Sequence, residues 1–209
     1  METHCIDFRK TNMFSKKFNE FLEGHTKEEY FPSYKNLEMV TGKVKLSREL
    51  RETLSDVISD QYGAMGTSEK VRENIESLKA ESSFTVTTGH QLNIFSGPLY
   101  IIYKIISTIK LSENLNAKFP EKKFIPVYWM ASEDHDFDEI NTFFSRGKTY
   151  EWDIETSGVV GNIDPGSIKK LAGIIPDSVG VFEKAYSSSR TLSEAVRKYM
   201  NTLFTVSYT

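Results

Sequence analysis

Apolar positions change period along the chain, and the change predicts the elements. Leu46, Leu50, Leu54, Val57 and Ile58 fall on one helical face, so residues 47–62 read as a helix with that face against a core. Gly63 and Gly66 punctuate its end. Val71, Ile75 and Leu78 stripe a second helix over residues 68–80. The period then shortens. Ser83 to Thr88 is β-branched and aromatic and predicts a strand, followed by a loop from Gly89 to Phe95. Ser96 reads as an N-cap and Pro98 as a first-turn residue of a helix running from Leu99 to Asn114, apolar on nearly every face and therefore buried. The continuous apolar run from Phe124 to Met130 suits a central parallel strand. Strand, buried helix and strand in that order make a βαβ unit, and with it an open, mostly parallel Rossmann-like α/β sheet with flanking helices.

The flanks are less patterned. Residues 1–44 carry Phe8, Phe14, Phe18, Phe21, Tyr30, Phe31 and Tyr34 and read as short helical or irregular pieces. Residues 141–145 and 149–154 pair as a hairpin around Arg146, Gly147 and Lys148. Residues 158–176 are turn-rich, with a short helix at 167–174. Thr191 and Glu194 form a capping box that opens a last helix over 192–204. The expected organisation is a helical amino-terminal segment, residues 1–82, on a Rossmann-like core with an inserted hairpin, residues 83–209.

Composition narrows the function. The 209 residues are 39% hydrophobic and 26% charged with a formal net charge of −3, ordinary for a globular protein. Charges of both signs are interspersed and no basic stripe exists, so no nucleic-acid partner is expected. Lys104 and Lys110 interrupt the most apolar helix, which is too short for a bilayer, so no membrane partner is expected. Cys5, the sole cysteine, has neither a disulfide partner nor an evident base and reads as an incidental thiol in a reducing cytoplasm.

Ligands of open α/β sheets bind beyond the carboxyl ends of the strands. The first strand delivers Thr88, Gly89, His90 and Gln91 to that edge, and the second delivers Ser132, Glu133, Asp134, His135 and Asp136. In the first cluster Gly89 permits close backbone approach, His90 and Gln91 supply donors, and the next helix offers its amino end, a set that suits a phosphate. The plainer reading is that His90 and Gln91 tie down a loop. Lys104, two turns into the helix, lies too deep for the same phosphate. The second cluster supports either a divalent metal through Asp134, His135 and Asp136 or acid–base work by His135 with a carboxylate orienting it. A solvated acidic loop is the dull alternative.

Taken in order, Thr88-Gly89-His90-Gln91, Ser96-Gly97-Pro98-Leu99-Tyr100 with Lys104, the run from Pro126 through Trp129 and Ser132 to Asp136, and Asn141 resemble the BshC family. The resemblance implies a core related in style to class I aminoacyl-tRNA synthetases and ATP-dependent ligation of cysteine to glucosaminyl malate, through an adenylate, in bacillithiol synthesis. It implies catalytic roles for His90, Gln91, Asp134 and His135. Substrate or nucleotide contacts are implied for Thr88, Gly89, Ser96, Gly97, Lys104, Trp129, Ser132, Glu133, Asp136 and Asn141. ATP is the expected co-substrate, and the need for a metal is open. Family members are longer and homodimerise through a carboxyl-terminal coiled coil, so this chain is expected to be a truncated ligase. The alternatives are an inactive or partner-dependent fragment and a metal-dependent hydrolase built on Glu133 to Asp136.

Overall fold

The computed structural model of the chain describes residues 4–23, 41–42, 46–63, 66–168, 171 and 179–205. The expectations for Tyr30, Phe31 and Tyr34, and most of the short helix foreseen at 167–174, lie outside them. The chain forms two compact units, residues 1–47 and 48–209. In the first, Asp7 accepts the Arg9 amide at 3.0 Å and opens a 3-10 turn over Phe8–Thr11. Ser15 caps helix α1, Lys16–Leu22, by accepting from the Phe18 amide, and the Phe14 and Phe18 rings stack 4.9 Å apart.

The second unit opens with α2, Arg48–Tyr62, and α3, Glu69–Ser77. Their junction is polar. Buried Arg51 donates from Nη1 to the carbonyls of Leu78, Ala80 and Ser83, and Ser55 Oγ donates to the Ile75 carbonyl at 3.0 Å. The predicted apolar stripe is not the buried face of α2: Leu50, Leu54 and Val57 are exposed, as is Leu46 ahead of the helix, and Ile58 is half-buried. A buried guanidinium that can cap several carbonyls at once decides which side of α2 turns inward.

Strand β1, Ser83–Gln91, and strand β2, Lys123–Ala131, pair in parallel from Ser83 opposite Lys123 to Gln91 opposite Ala131. Helix α4, Leu99–Lys118, connects them. The βαβ unit is as expected, but β1 continues through Gly89, His90 and Gln91, which the sequence placed in a loop. Helix α4 buries one face only, through Ile101, Ile105, Thr108, Ser112 and Leu115. Leu99, Tyr100, Tyr103 and Leu111 stay exposed, so an all-round apolar helix is here buried on a single side. At the start of β2, the Asn116 amide accepts the Phe124 N–H at 2.8 Å and donates to the Phe124 carbonyl at 2.9 Å, serving as a substitute strand partner.

Among the described residues this sheet has two strands, and the main hydrophobic cluster lies beyond their carboxyl ends. There α5, Val179–Ser187, and α6, Leu192–Thr205, pack Phe182, Tyr186, Val196 and Tyr199 against Leu92, Ile94 and Phe95 from the β1–α4 connection. Helix α6 begins with the Thr191 half of the foreseen capping box: Thr191 Oγ1 accepts the Glu194 amide at 3.2 Å, while the Glu194 carboxylate reaches one residue further back and accepts the Arg190 amide at 2.9 Å. The hairpin forms from β3, Thr142–Ser145, and β4, Lys148–Glu151. Arg146 and Gly147 turn with φ of 47° and 78°, the conformation that a tight two-residue turn demands.

Candidate functional site

The register places Gly89 opposite Trp129, His90 opposite Met130 and Gln91 opposite Ala131, so both polar clusters emerge together at one edge. Glycine fits closely at position 89, where a Cβ would lie 3.2 Å from the Trp129 backbone oxygen and Cβ, tighter than an ordinary contact. The Trp129 ring stays exposed, with its indole N–H 3.3 Å from Glu133 Oε1.

Gln91 and Asp134 join the strand ends: Gln91 Nε2 donates to Asp134 Oδ2 at 2.8 Å. Gln91 Oε1, buried beside this bond, has no hydrogen-bond partner among the described residues. Asp134 Oδ1 accepts the backbone N–H groups of His135 (2.6 Å) and Asp136 (2.9 Å). These donors, Asp136 first and the Gln91 amide next, hold the Asp134 carboxyl below its ordinary range. The loop is braced from below, where Val160 N–H donates to the Asp134 carbonyl and Gly161 N–H to the Ser132 carbonyl. A Cβ at Gly161 would lie 2.5 Å from that Ser132 oxygen, so the close approach needs glycine.

The connection from β1 to α4 is wound tightly. Phe95, Ser96 and Gly97 take φ of 50°, 66° and 64° in succession. Ser96 is therefore not the N-cap, and Pro98 occupies that position ahead of Leu99. Two buried tyrosines clamp the strained stretch: Tyr186 Oη accepts the Phe95 N–H at 2.9 Å, and Tyr199 donates to the Asn93 carbonyl at 2.6 Å. Asn93 Nδ2 in turn donates to His90 Nδ1 at 2.9 Å, while His90 Nε2 pairs with the Tyr100 hydroxyl. Burial, followed by the positive charge of Lys104, pushes the His90 pKa down.

Lys104 reaches this edge after all. Its long side chain extends along α4, so Nζ donates to the Gly89 carbonyl at 3.1 Å and sits 5.5 Å from the Tyr100 ring centroid. With Thr88, Tyr100 and Tyr103 it lines an open groove of about 460 Å³ along β1 and α4.

Not every residue singled out from the sequence converges. The His135 side chain is exposed, and Asp136 caps its own turn by accepting the Glu139 amide at 3.1 Å. Asn141 is buried, with its carbonyl accepting Trp152 N–H at 2.7 Å. Among the described residues, no three His, Cys, Asp or Glu side chains stand close enough to hold a metal ion. Sequence reasoning missed Asn93, Tyr186 and Tyr199. Asn93 lies three residues past His90 and was open to notice, but Tyr186 and Tyr199 act across separations of 91 and 106 residues.

Comparison with known proteins gives the family. The family model for the bacillithiol biosynthesis BshC N-terminal Rossmann-like domain matches residues 1–207. The chain belongs to the BshC family. A Flavobacterium johnsoniae relative is 39% identical over 98% of this chain and 42% of its own length. A Christiangramia forsetii relative is 38% identical over the same shares, and one from Cytophaga hutchinsonii is 41% identical over 95% of this chain and 39% of its own length. All three bear the name "Putative cysteine ligase BshC". The chain spans about two fifths of the length of these curated relatives. The Rossmann-like class read from the sequence is the class of this domain, built here as a parallel sheet with flanking helices. Among the described residues no helix is long and apolar enough to cross a membrane.

Proposed function

We propose that this chain supplies part of the catalytic site of a cytoplasmic cysteine ligase that completes bacillithiol. The reaction joins cysteine to glucosaminyl malate in two steps. A cysteine carboxylate oxygen attacks the α-phosphorus of ATP, releasing pyrophosphate and leaving cysteinyl adenylate. The sugar amine then attacks the acyl carbon, loses a proton and expels AMP, leaving an amide. The observation that carries this reading is the joining of both polar strand ends by the Gln91–Asp134 bond, in a chain of this family.

Each residue has a distinct part. Gly89 keeps the floor of the edge low beside Trp129. His90, Tyr100 and Lys104 gather donors and positive charge at the amino end of α4, where charge develops on transferring phosphate oxygens. Asp134, ionised and held by Gln91, with His135 and Asp136 beside it, faces the amine substrate. A divalent ion would arrive with the nucleotide and neutralise phosphate charge. The hydrolase alternative lacks a three-residue donor set among the described residues.

Coverage of only two fifths of the relatives' length favours a second reading, in which this chain turns over only with the rest of the longer protein. The test is mass-spectrometric detection of bacillithiol in a strain lacking its cysteine ligase, complemented with this chain or with a full-length relative. Thiol restored by the full-length relative alone supports the partner-dependent reading. Restoration by both places the whole site within these residues. The ligase assignment fails if neither restores it.

A further inference from the structure

The orientation of the Asn93 amide carries a consequence for His90. Asn93 Nδ2 faces two acceptors, His90 Nδ1 at 2.9 Å and the Gln91 carbonyl at 3.4 Å. Rotating the amide by half a turn would set its oxygen against the Gln91 carbonyl, so the nitrogen belongs where it is. The residue itself cannot drift. Tyr199 holds its carbonyl at 2.6 Å, its N–H donates to the Gln91 carbonyl at 2.9 Å, and its Cβ packs where a Gly97 Cβ would lie, 2.5 Å away. His90 Nδ1 must then present a lone pair, and Nε2 carries the proton. That proton goes to the Tyr100 oxygen, which leaves the Tyr100 O–H free to donate outward. Tyr100 is 48% exposed in the first turn of α4, beside Lys104.

We propose that Asn93 is a positioning residue that locks His90 in the Nε2–H tautomer and so makes the Tyr100 hydroxyl a hydrogen-bond donor to an incoming phosphate group. His90 then works as a neutral relay, not as a base. Burial most of all, and then Lys104 from α4, oppose a second proton on it and prevail over the Gln91 backbone and Glu139, which favour one. The phosphate part rests on the ligase reading above, while the tautomer lock stands without it.

The experiment is long-range proton–nitrogen NMR of the imidazoles in the ¹⁵N-labelled chain, with His90 assigned through His90→Gln. The expected spectrum shows Nδ1 unprotonated and Nε2 protonated. Asn93→Asp should reverse it, because the introduced carboxylate accepts from Nδ1–H and the Nε2 lone pair then accepts a hydrogen bond from the Tyr100 O–H. A protonated Nδ1 in the unaltered chain overturns the lock, and so does an unchanged tautomer in folded Asn93→Asp. If that variant does not fold, the unaltered spectrum alone decides. ATP is the probe for the second part: Tyr100→Phe should weaken its binding about tenfold, the loss of one hydrogen bond to a charged group. An intact lock with equal ATP affinity in both proteins, or with no ATP binding at all, overturns the phosphate role and leaves the tautomer assignment standing.

Discussion

Gly97 and Asp134 show how single residues set this site. At Gly97 a side chain meets two obstacles, a φ of 64° and the Asn93 Cβ at 2.5 Å. Gly97→Ala should destabilise the fold by at least about 2 kcal/mol, a drop of roughly 4–8 °C in Tm by thermal unfolding. An unchanged Tm would mean that the connection relaxes freely. Asp134 gives a pH signature. Its carboxyl lies lower in the folded chain than the ordinary 3.8, so the stability it contributes is fully present above that value and is lost as pH falls through the lower folded one. A carboxyl ¹³C titration should therefore show Asp134 still ionised at pH 3.8, and Gln91→Ala should move its midpoint upward. A midpoint unmoved by Gln91→Ala would leave the backbone donors to explain the whole shift. The sequence revealed Gly89, His90, Gln91 and Asp134 as polar residues at strand ends. It could not reveal that Asp134 spends one oxygen on its own loop, because that depends on backbone directions that a charge run does not encode.

The elements were legible where one local pattern governs them. The strand run of β1, the apolar run of β2 and the Thr191 cap of α6 formed as read, within a few residues at their ends. The failures arose where a long-range partner decides. Gly89, His90 and Gln91 looked like a loop, but pairing with Trp129, Met130 and Ala131 extends the strand through them. Ser96 looked like a cap, but the left-handed run that precedes Pro98 is held by tyrosines from α5 and α6. Helix α5 itself went unforeseen. Tyr186 and Asn116 satisfy backbone groups at opposite ends of the sheet. Tyr186→Phe orphans the buried Phe95 N–H and should cost about 1–3 kcal/mol in urea unfolding, with faster exchange of the Phe95 amide. Asn116→Ala, at the far end of the sheet, should cost a similar amount yet leave Phe95 exchange untouched. Equal Phe95 protection in Tyr186→Phe and the unaltered chain would show that packing alone holds the loop.

For the molecule as a whole, the core and the sheet are offset. Side chains of α5, α6 and the β1–α4 connection bury one another well, whereas among the described residues the parallel sheet has two strands and α4 leaves much of its apolar surface open. Leu99 and Tyr103 are 65% and 61% exposed, and Trp129 on β2 is 59% exposed. Isolated two-stranded sheets are marginal, and exposed strand edges invite pairing with other chains. The site therefore stands on a packed floor beside an apolar flank that is open among the described residues. The purified chain should bind the apolar dye ANS and self-associate as concentration rises, while a full-length relative under the same conditions binds less dye per mole. Sedimentation and dye fluorescence read both. A chain that stays monomeric and dark would show that these exposed side chains are tolerated as an ordinary surface, and the case for a site completed by further sequence would then rest on the activity assay alone.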